Sequence, residues 1–593
     1  MVFYINMTKN KEKIHFTWKI GGEAGFGIKA AGVVFAKAMV RAGYEAFDYS
    51  EYPSLIRGGH NTYQITVGAA DVRSVGNSVD LLVALNKETI DNHLAELSPG
   101  AAIIYDSEEI ELTADKFKKK EITLISVPLK KFAAETGGEI MRNTIAIGAS
   151  LGVIGLEPKI LENIIKEVFA HKEGVIEANI KAIEAGYDFI KKNYSGLNFK
   201  IQIKPRKHEP RMLIAGNEAM GLGALAGGLT FFSAYPMTPS TSILHYLAGK
   251  AVSESLVVKH AEDEISVINM ALGAAHVGAR AMCATSGGGF ALMGEALGLA
   301  GVSETPIVII NVQRPGPATG MPTWTDQGDL RFVLHAAQGE FPRIVLAPGD
   351  ASECFYQTAE ALNLAEKFQL PVIILSDKYL GEGAMTVPLF DEKKVKIERG
   401  KLLTDEKALT DYKRYKVTAD GVSPRTLPGT KGGIFSADSY EHDEFGFSSE
   451  TAEDRTAQVD KRANKLKNAS DELGGANLYG PIHAKTTIIG WGSTKGPILD
   501  ALELLPPRYK GKVNFLHLNV IWPFPAKLVK HALNTGGLLS NSKKLILVEN
   551  NSTAQLGALI RQETGIVVKE KILRYDGRPF FPEELAEAIG AKL

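Results

Sequence analysis

The residues best suited to chemistry fall between positions 234 and 331. The stretch opens with Ala234-Tyr235-Pro236-Met237-Thr238-Pro239-Ser240-Thr241 and continues with Ala261-Glu262-Asp263-Glu264. Thr285-Ser286-Gly287-Gly288-Gly289 and Val312-Gln313-Arg314-Pro315-Gly316-Pro317 follow. In the first piece two prolines fix φ and withhold two backbone donors, so the loop is stiff and holds the Thr238 hydroxyl beside a helix start. Three acids ahead of a helix ordinarily complement its dipole on a wet face. Glu264 adjoins an expected buried stripe of Ile265, Ile268, Leu272 and Ala275, so it is the acid expected to point inward, and a buried acid requires a reason. Successive glycines before a helix suit close approach of a ligand or another chain. Arg314 comes just past a strand, the edge where open sheets bind ligands, and its planar fork suits a substrate carboxylate as well as a structural ion pair.

Alternating strands and helices must position these groups. Strands are expected at 231–234 and 306–311, and another from 281 up to the Thr285-Ser-Gly-Gly-Gly turn, with helices at 218–229, 242–249 and 265–276 and one after that turn running through Met293 and Glu295. Ser240 or Thr241 is expected to cap the helix at 242. Strands 343–346 and 371–375, with a helix at 351–367, complete this unit. An earlier α/β unit begins with a strand at 14–20, the turn Gly21-Gly22-Glu23-Ala24-Gly25-Phe26-Gly27, a helix at 28–42 and a strand at 44–49. Such turns hold phosphate on a helix start, and Asp48 has the spacing of a ribose-binding acid, but the glycine order is not that of a dinucleotide fingerprint. Arg57, flanked by Gly58 and Gly59, is a possible anion contact in the loop 50–61. A second strand series, near 486–490, 513–518 and 544–548, forms a third unit for packing and subunit contact. Boundaries are expected at 1–200, 211–385, 386–480 and 481–593, the third segment being irregular and ending in a charged helix at 450–472.

The chain has 593 residues, 45% of them hydrophobic and 23% charged, with a net charge of −1. That balance fits several soluble globular domains and gives no global field for nucleic acid or an anionic membrane. No apolar run is long enough for a membrane span. The two cysteines, Cys283 and Cys354, cannot bind an iron–sulfur cluster or a structural zinc, and no metal site is expected. Without a disulfide framework or an apolar leader in residues 1–13, the expected compartment is the cytoplasm.

Taken together the motifs resemble those of 2-oxoacid:ferredoxin oxidoreductase α subunits with a fused N-terminal γ domain, in the pyruvate:ferredoxin oxidoreductase superfamily. Those carrying the resemblance are GGEAGFG (21–27), SEYPSLIRGGHN (50–61), AYPMTPST (234–241), AEDE (261–264), TSGGGFALMGE (285–295), VQRPGPATGMPT (312–323), DGVSPR (420–425) and YEHDEFG (440–446). Met237 stands where the family has isoleucine. The resemblance implies three α/β domains: a γ domain, a thiamine diphosphate (pyrimidine) domain and a transketolase C-terminal-like domain. It implies coenzyme A-dependent oxidative decarboxylation of a 2-oxoacid, with electrons passed to ferredoxin. A separate β chain would hold the diphosphate, Mg²⁺ and a 4Fe-4S cluster in an (αβ)₂ assembly. Glu264 would face the aminopyrimidine, with Pro239, Ser286 and Gly287 lining the cofactor. Thr238 and Arg314 would meet the substrate, with Tyr235 and, from the γ domain, Arg57. Alternatives are a 2-oxoglutarate-specific enzyme, an NAD(P)-binding dehydrogenase on the first Gly-rich turn, and a catalytically silent assembly subunit.

Overall fold

The computed structural model describes residues 3–5, 15–55, 58–113, 115–168, 170, 173–403, 409–533 and 544–593. It contains three sheets flanked by helices. The first has eight strands in the order Thr123–Ser126, Leu97–Tyr105, Val79–Ala84, His15–Glu23, His60–Gly68, Glu45–Glu51, Ala384–Pro388, Arg211–Ala215. The second has seven: Val257–His260, Phe231–Ala234, Ala281–Thr285, Ile307–Gln313, Pro371–Asp377, Ile344–Leu346, Val520–Trp522. The third has six: Phe3–Ile5, Ala476–Tyr479, Val513–Leu518, Thr486–Trp491, Lys544–Glu549, Glu570–Leu573.

The sheets borrow strands across sequence units. Arg211–Ala215 does not open the second sheet, as its place in the sequence suggests; it pairs antiparallel with Ala384–Pro388, whose Met385 pairs with Phe47 of the first sheet. Val520–Trp522 likewise closes the second sheet from the C-terminal unit. Lent strands satisfy edges that would otherwise expose backbone donors and acceptors. The irregular segment after Pro388 is tied down by charge: Glu304 takes Lys461 Nζ at 2.6 Å and also Lys465, and all three side chains are buried. Both lysines lie on the helix Ala452–Glu472, expected from its sequence as a charged helix at 450–472. Among the described residues, no helix is long and apolar enough to cross a membrane.

Candidate functional site

The second sheet aligns its strand ends. Ala234 is level with Ala284 and His260, Thr285 with Asn311, and Gln313 with Asp377. The segments that follow, carrying Thr238, Glu264, Ser286 and Arg314, therefore leave from one edge, the carboxyl ends of parallel strands.

Each segment is locally fixed. The buried Asn217 amide donates to the Pro239 carbonyl (2.9 Å) and to the Ser242 hydroxyl (2.8 Å), pinning the 235–240 loop. Ser240 precedes the helix Thr241–Lys250, but neither its hydroxyl nor that of Thr241 caps it; the Ser240 hydroxyl turns back to the Met237 carbonyl at 2.7 Å. Asp263 caps the helix Glu264–His276, accepting from Ser266 N at 2.8 Å. That fixes the rotation of the first turn, and Glu264, at 4% exposure, points inward while Ile265 is 50% exposed. The buried stripe is thus Glu264, Val267, Ile268, Ala271, Leu272 and Ala275, one residue off the expected one at its start. The expected single helix after Thr285 is two, Gly287–Leu292 and Gly294–Val302, divided at Met293, whose N–H bonds three residues back to Phe290 and closes the first helix.

Arg314 donates from Nη1 to the Thr238 carbonyl at 2.6 Å, so two candidate substrate contacts are coupled through the backbone. Burial lowers its pKa, and the nearby Asp329 and Glu264 act in the opposite sense. Asp329 is in turn held by Asn311 Nδ2 (3.2 Å), and its backbone N–H donates to Gln313 Oε1 (3.0 Å). Beside it, Asp326 is pushed up to about 7 by burial and by the charges of Asp329 and Asp377. The loop bearing these acids is clamped by the C-terminal unit: Gln327 and Asn550 exchange two hydrogen bonds, and Asn551 Nδ2 donates to the Gln327 carbonyl. Asn550 and Asn551 therefore hold a loop.

Several buried polar atoms on this edge have no hydrogen-bond partner: Glu264 Oε1, Ser286 Oγ, Asn311 Oδ1, Asp326 Oδ1 and Ser376 Oγ. Buried polar groups are nearly always paired, so these open ones along one sheet edge leave hydrogen-bonding capacity for a ligand. Above Glu264 the backbone of Gly289 passes without a side chain; a Cβ there would lie 2.5 Å from Glu264 Oε1. A buried carboxylate with one oxygen left unpaired fits a hydrogen-bonding heterocycle such as an aminopyrimidine, and only a glycine lets the helix backbone pass this close to it.

Thr238 and Arg314 are in contact, Glu264 and Asp329 lie near Arg314, and Gly287 lies beside Asp329, while Pro239 and Ser286 leave from the same strand-end edge. Tyr235 stands at the rim, 39% exposed, its ring 6.1 Å from that of His260. Arg57 lies outside the described residues. Asp329, Asp326, Asn311 and Gln313 were not signalled by the sequence. Asp48 is not free to bind a ribose: it is buried, accepting from the Tyr63 hydroxyl (2.5 Å) and the Ala384 N–H (2.8 Å). That pairing removes the acid on which a dinucleotide reading of the first turn depended.

A family model described as "Pyruvate flavodoxin/ferredoxin oxidoreductase, thiamine diP-bdg" matches residues 222–461, and one described as "Pyruvate ferredoxin/flavodoxin oxidoreductase" matches 17–189. A 2-oxoacid:ferredoxin oxidoreductase α subunit of Aeropyrum pernix is 34% identical, over 96% of this chain and 96% of its own. The KorA subunit of a 2-oxoglutarate oxidoreductase of Mycobacterium tuberculosis is 29% identical, over 97% of this chain and 91% of its own. The 2-oxoglutarate:ferredoxin oxidoreductase of Magnetococcus marinus, solved with 2-oxoglutarate, coenzyme A and succinyl-CoA bound, superposes with a TM-score of 0.90 at 32% identity, covering 98% of this chain and 100% of that one. The family model over residues 222–461 and the full-length relatives define a thiamine diphosphate-type α/β oxidoreductase subunit. The chain belongs to the 2-oxoacid:ferredoxin oxidoreductase α subunits.

Proposed function

We propose that this chain, with a β subunit, converts a 2-oxoacid and coenzyme A to acyl-CoA and carbon dioxide, sending two electrons to ferredoxin. The observation that carries the site assignment is the buried, unpaired Glu264 carboxylate beneath Gly289. Glu264 receives N1′ of the aminopyrimidine and holds the proton shared there, with Pro239, Ser286 and Gly287 around the ring. When bound, thiamine diphosphate supplies a nucleophilic carbon and an electron sink. Arg314 clamps the substrate carboxylate, its Nη1 anchored on the Thr238 carbonyl, and the Thr238 hydroxyl is a second contact for the same substrate. Tyr235 closes the rim, and Arg57 is a second anion contact from the N-terminal domain. Coenzyme A approaches from that domain's side, through the wide cavity that Trp324 shares with it.

The β chain holds the diphosphate with Mg²⁺ and carries the 4Fe-4S cluster, in an (αβ)₂ assembly in the cytoplasm. It covers the exposed apolar side chain beside the site, Ile265, which is 50% exposed one residue after Glu264. A 2-oxoglutarate-specific enzyme is the second reading, favoured by the likeness to the Magnetococcus marinus enzyme. The test is dye reduction by the αβ complex with pyruvate, 2-oxoglutarate and branched 2-oxoacids. Glu264→Gln should abolish it with every substrate, and retained activity would sink the assignment.

A further inference from the structure

A cavity of about 820 Å³ opens where the N-terminal sheet, the loop at Trp324 and the C-terminal unit meet; Tyr49, Tyr52, His60, Trp324, Arg578 and Phe581 are among its walls. Part of its wall is a linked chain of ionisable groups. Lys19 Nζ lies 2.6 Å from Glu96 Oε2, and Glu96 Oε1 lies 2.8 Å from His93 Nδ1. His93 Nε2 lies 2.9 Å from His60 Nε2. The carboxylate fixes the tautomers in sequence. Glu96 accepts, so His93 Nδ1 carries the proton and its Nε2 the lone pair; His60 Nε2 must then donate, which leaves His60 Nδ1 with a lone pair. His60 Nδ1 is buried and has no partner.

Burial and the facing His93 hold the His60 imidazole below its ordinary pKa, with Glu88 and Glu51 acting upward and Lys19 downward. Burial raises Glu96, but His93 and Lys19 more than offset this and keep it ionised. A neutral imidazole backed by a second imidazole and a carboxylate is the arrangement of an oriented base. The substrate site centred on Glu264 and Arg314 has no need of it. The one other weak acid consumed in the proposed reaction is the thiol of coenzyme A, and 820 Å³ far exceeds what a 2-oxoacid fills.

We propose that His60, positioned by His93 and Glu96, is the base that takes the thiol proton of coenzyme A. The S–H proton passes to His60 Nδ1. The thiolate forms the S–C bond to the oxidised acyl carbon, whose bond to the cofactor carbon breaks with its electron pair going to that carbon. His60 then releases the proton to solvent. The inference rests on the reading that coenzyme A enters by this cavity.

The experiment uses the αβ complex with His60→Asn, His60→Gln and His93→Leu. At pH 7 each His60 variant should lose at least 100-fold in kcat/KM for coenzyme A, in line with general-base contributions. The loss should shrink as pH approaches the free thiol pKa, about 8.5, while 2-oxoacid-dependent electron transfer without coenzyme A stays within twofold. His93→Leu should give a smaller loss with a shifted pH profile. Desulfo-coenzyme A, which lacks the thiol, should inhibit wild type and the His60 variants alike, which also reports on folding. Arg578→Ala, at the far wall, should weaken that inhibitor at least fivefold. Wild-type pH profiles in the His60 variants, with Arg578→Ala weakening the inhibitor, overturn the base alone. An inhibitor constant unmoved by Arg578→Ala overturns the entry route and the base together.

Discussion

Gly289 and Glu264 occupy one space: a Cβ added at the glycine would lie 2.5 Å from Glu264 Oε1 and 2.6 Å from Glu264 Cγ, with the Thr285 hydroxyl also in the way. Gly289→Ala should therefore push the carboxylate off its position. Overpacking of this kind costs about 1–3 kcal/mol, so the variant should melt a few degrees lower and lose most activity, with weakened thiamine diphosphate binding by the αβ complex. Gly288→Ala is the control, because its Cβ would meet nothing closer than Met237 Cε at 3.7 Å. Equal binding losses in both would show that Glu264 does not touch the cofactor.

Arg314→Lys tests the clamp. A lysine keeps the charge but gives up the fork that reaches the Thr238 carbonyl while leaving a second N–H pair for a carboxylate. A lost hydrogen bond to a charged group is worth about 1.5–3 kcal/mol, so KM for the 2-oxoacid should rise roughly 10- to 150-fold with the KM for coenzyme A unmoved. Initial-rate measurements varying each substrate separate the two. Parallel rises in both constants would argue against a substrate carboxylate at Arg314.

The sequence announced Glu264 because an acid beside an apolar stripe is conspicuous, and it announced Arg314 because strand ends are where α/β sheets bind. It did not announce which way the first turn of the helix at Glu264 rotates: the Asp263 cap settles that, burying Glu264 and leaving Ile265 out. Arg211–Ala215 looked like the first strand of its own unit because sheet membership depends on partners 170 residues away, and local pattern carries no such information. The His60–His93–Glu96 chain was invisible for the same reason. Its members stand 33 and 3 residues apart and meet only across paired strands and a helix end. Gln327 with Asn550 is a similar case, a side chain reading another unit's backbone.

Asp48 should make stability pH-dependent in the sense opposite to a salt-bridged carboxylate. Burial pushes its pKa up to about 6, despite the hydrogen bonds from Tyr63 and Ala384. With the folded value above the unfolded one, the folded state binds the proton more tightly. The group's contribution is therefore favourable below about pH 4 and is lost as pH rises to about 6, an effect on the order of 3 kcal/mol. Asp48→Asn removes this ionisation and also gives up one of the two donated hydrogen bonds. The melting temperature of the variant relative to wild type should accordingly climb between pH 4.5 and 6.5. A difference that stays flat over that range would mean Asp48 does not titrate there.

Glu304 compensates two buried lysines, Lys461 and Lys465, and through them anchors the helix Ala452–Glu472. Glu304→Gln leaves both ammonium groups without their counter-charge, a change that costs about 3–5 kcal/mol when one partner of a buried pair is removed. The helix should loosen before the sheets do. Limited proteolysis should cut within 409–472 in the variant under conditions where the wild type is intact, and a Glu304→Gln, Lys465→Met double substitution should recover part of the loss. Unchanged digestion would place the anchor elsewhere.

Ile265 is 50% exposed one residue after a buried catalytic candidate. An exposed apolar side chain beside a half-built site is what a partner subunit would cover. Ile265→Glu places a charge in that contact without touching the packed side of the helix. The variant should keep the wild-type melting temperature as an isolated chain, fail to co-purify with the β chain, and show no 2-oxoacid-dependent dye reduction when the two are mixed. Co-purification at wild-type yield would move the β chain to another face, and with it the second half of the cofactor site.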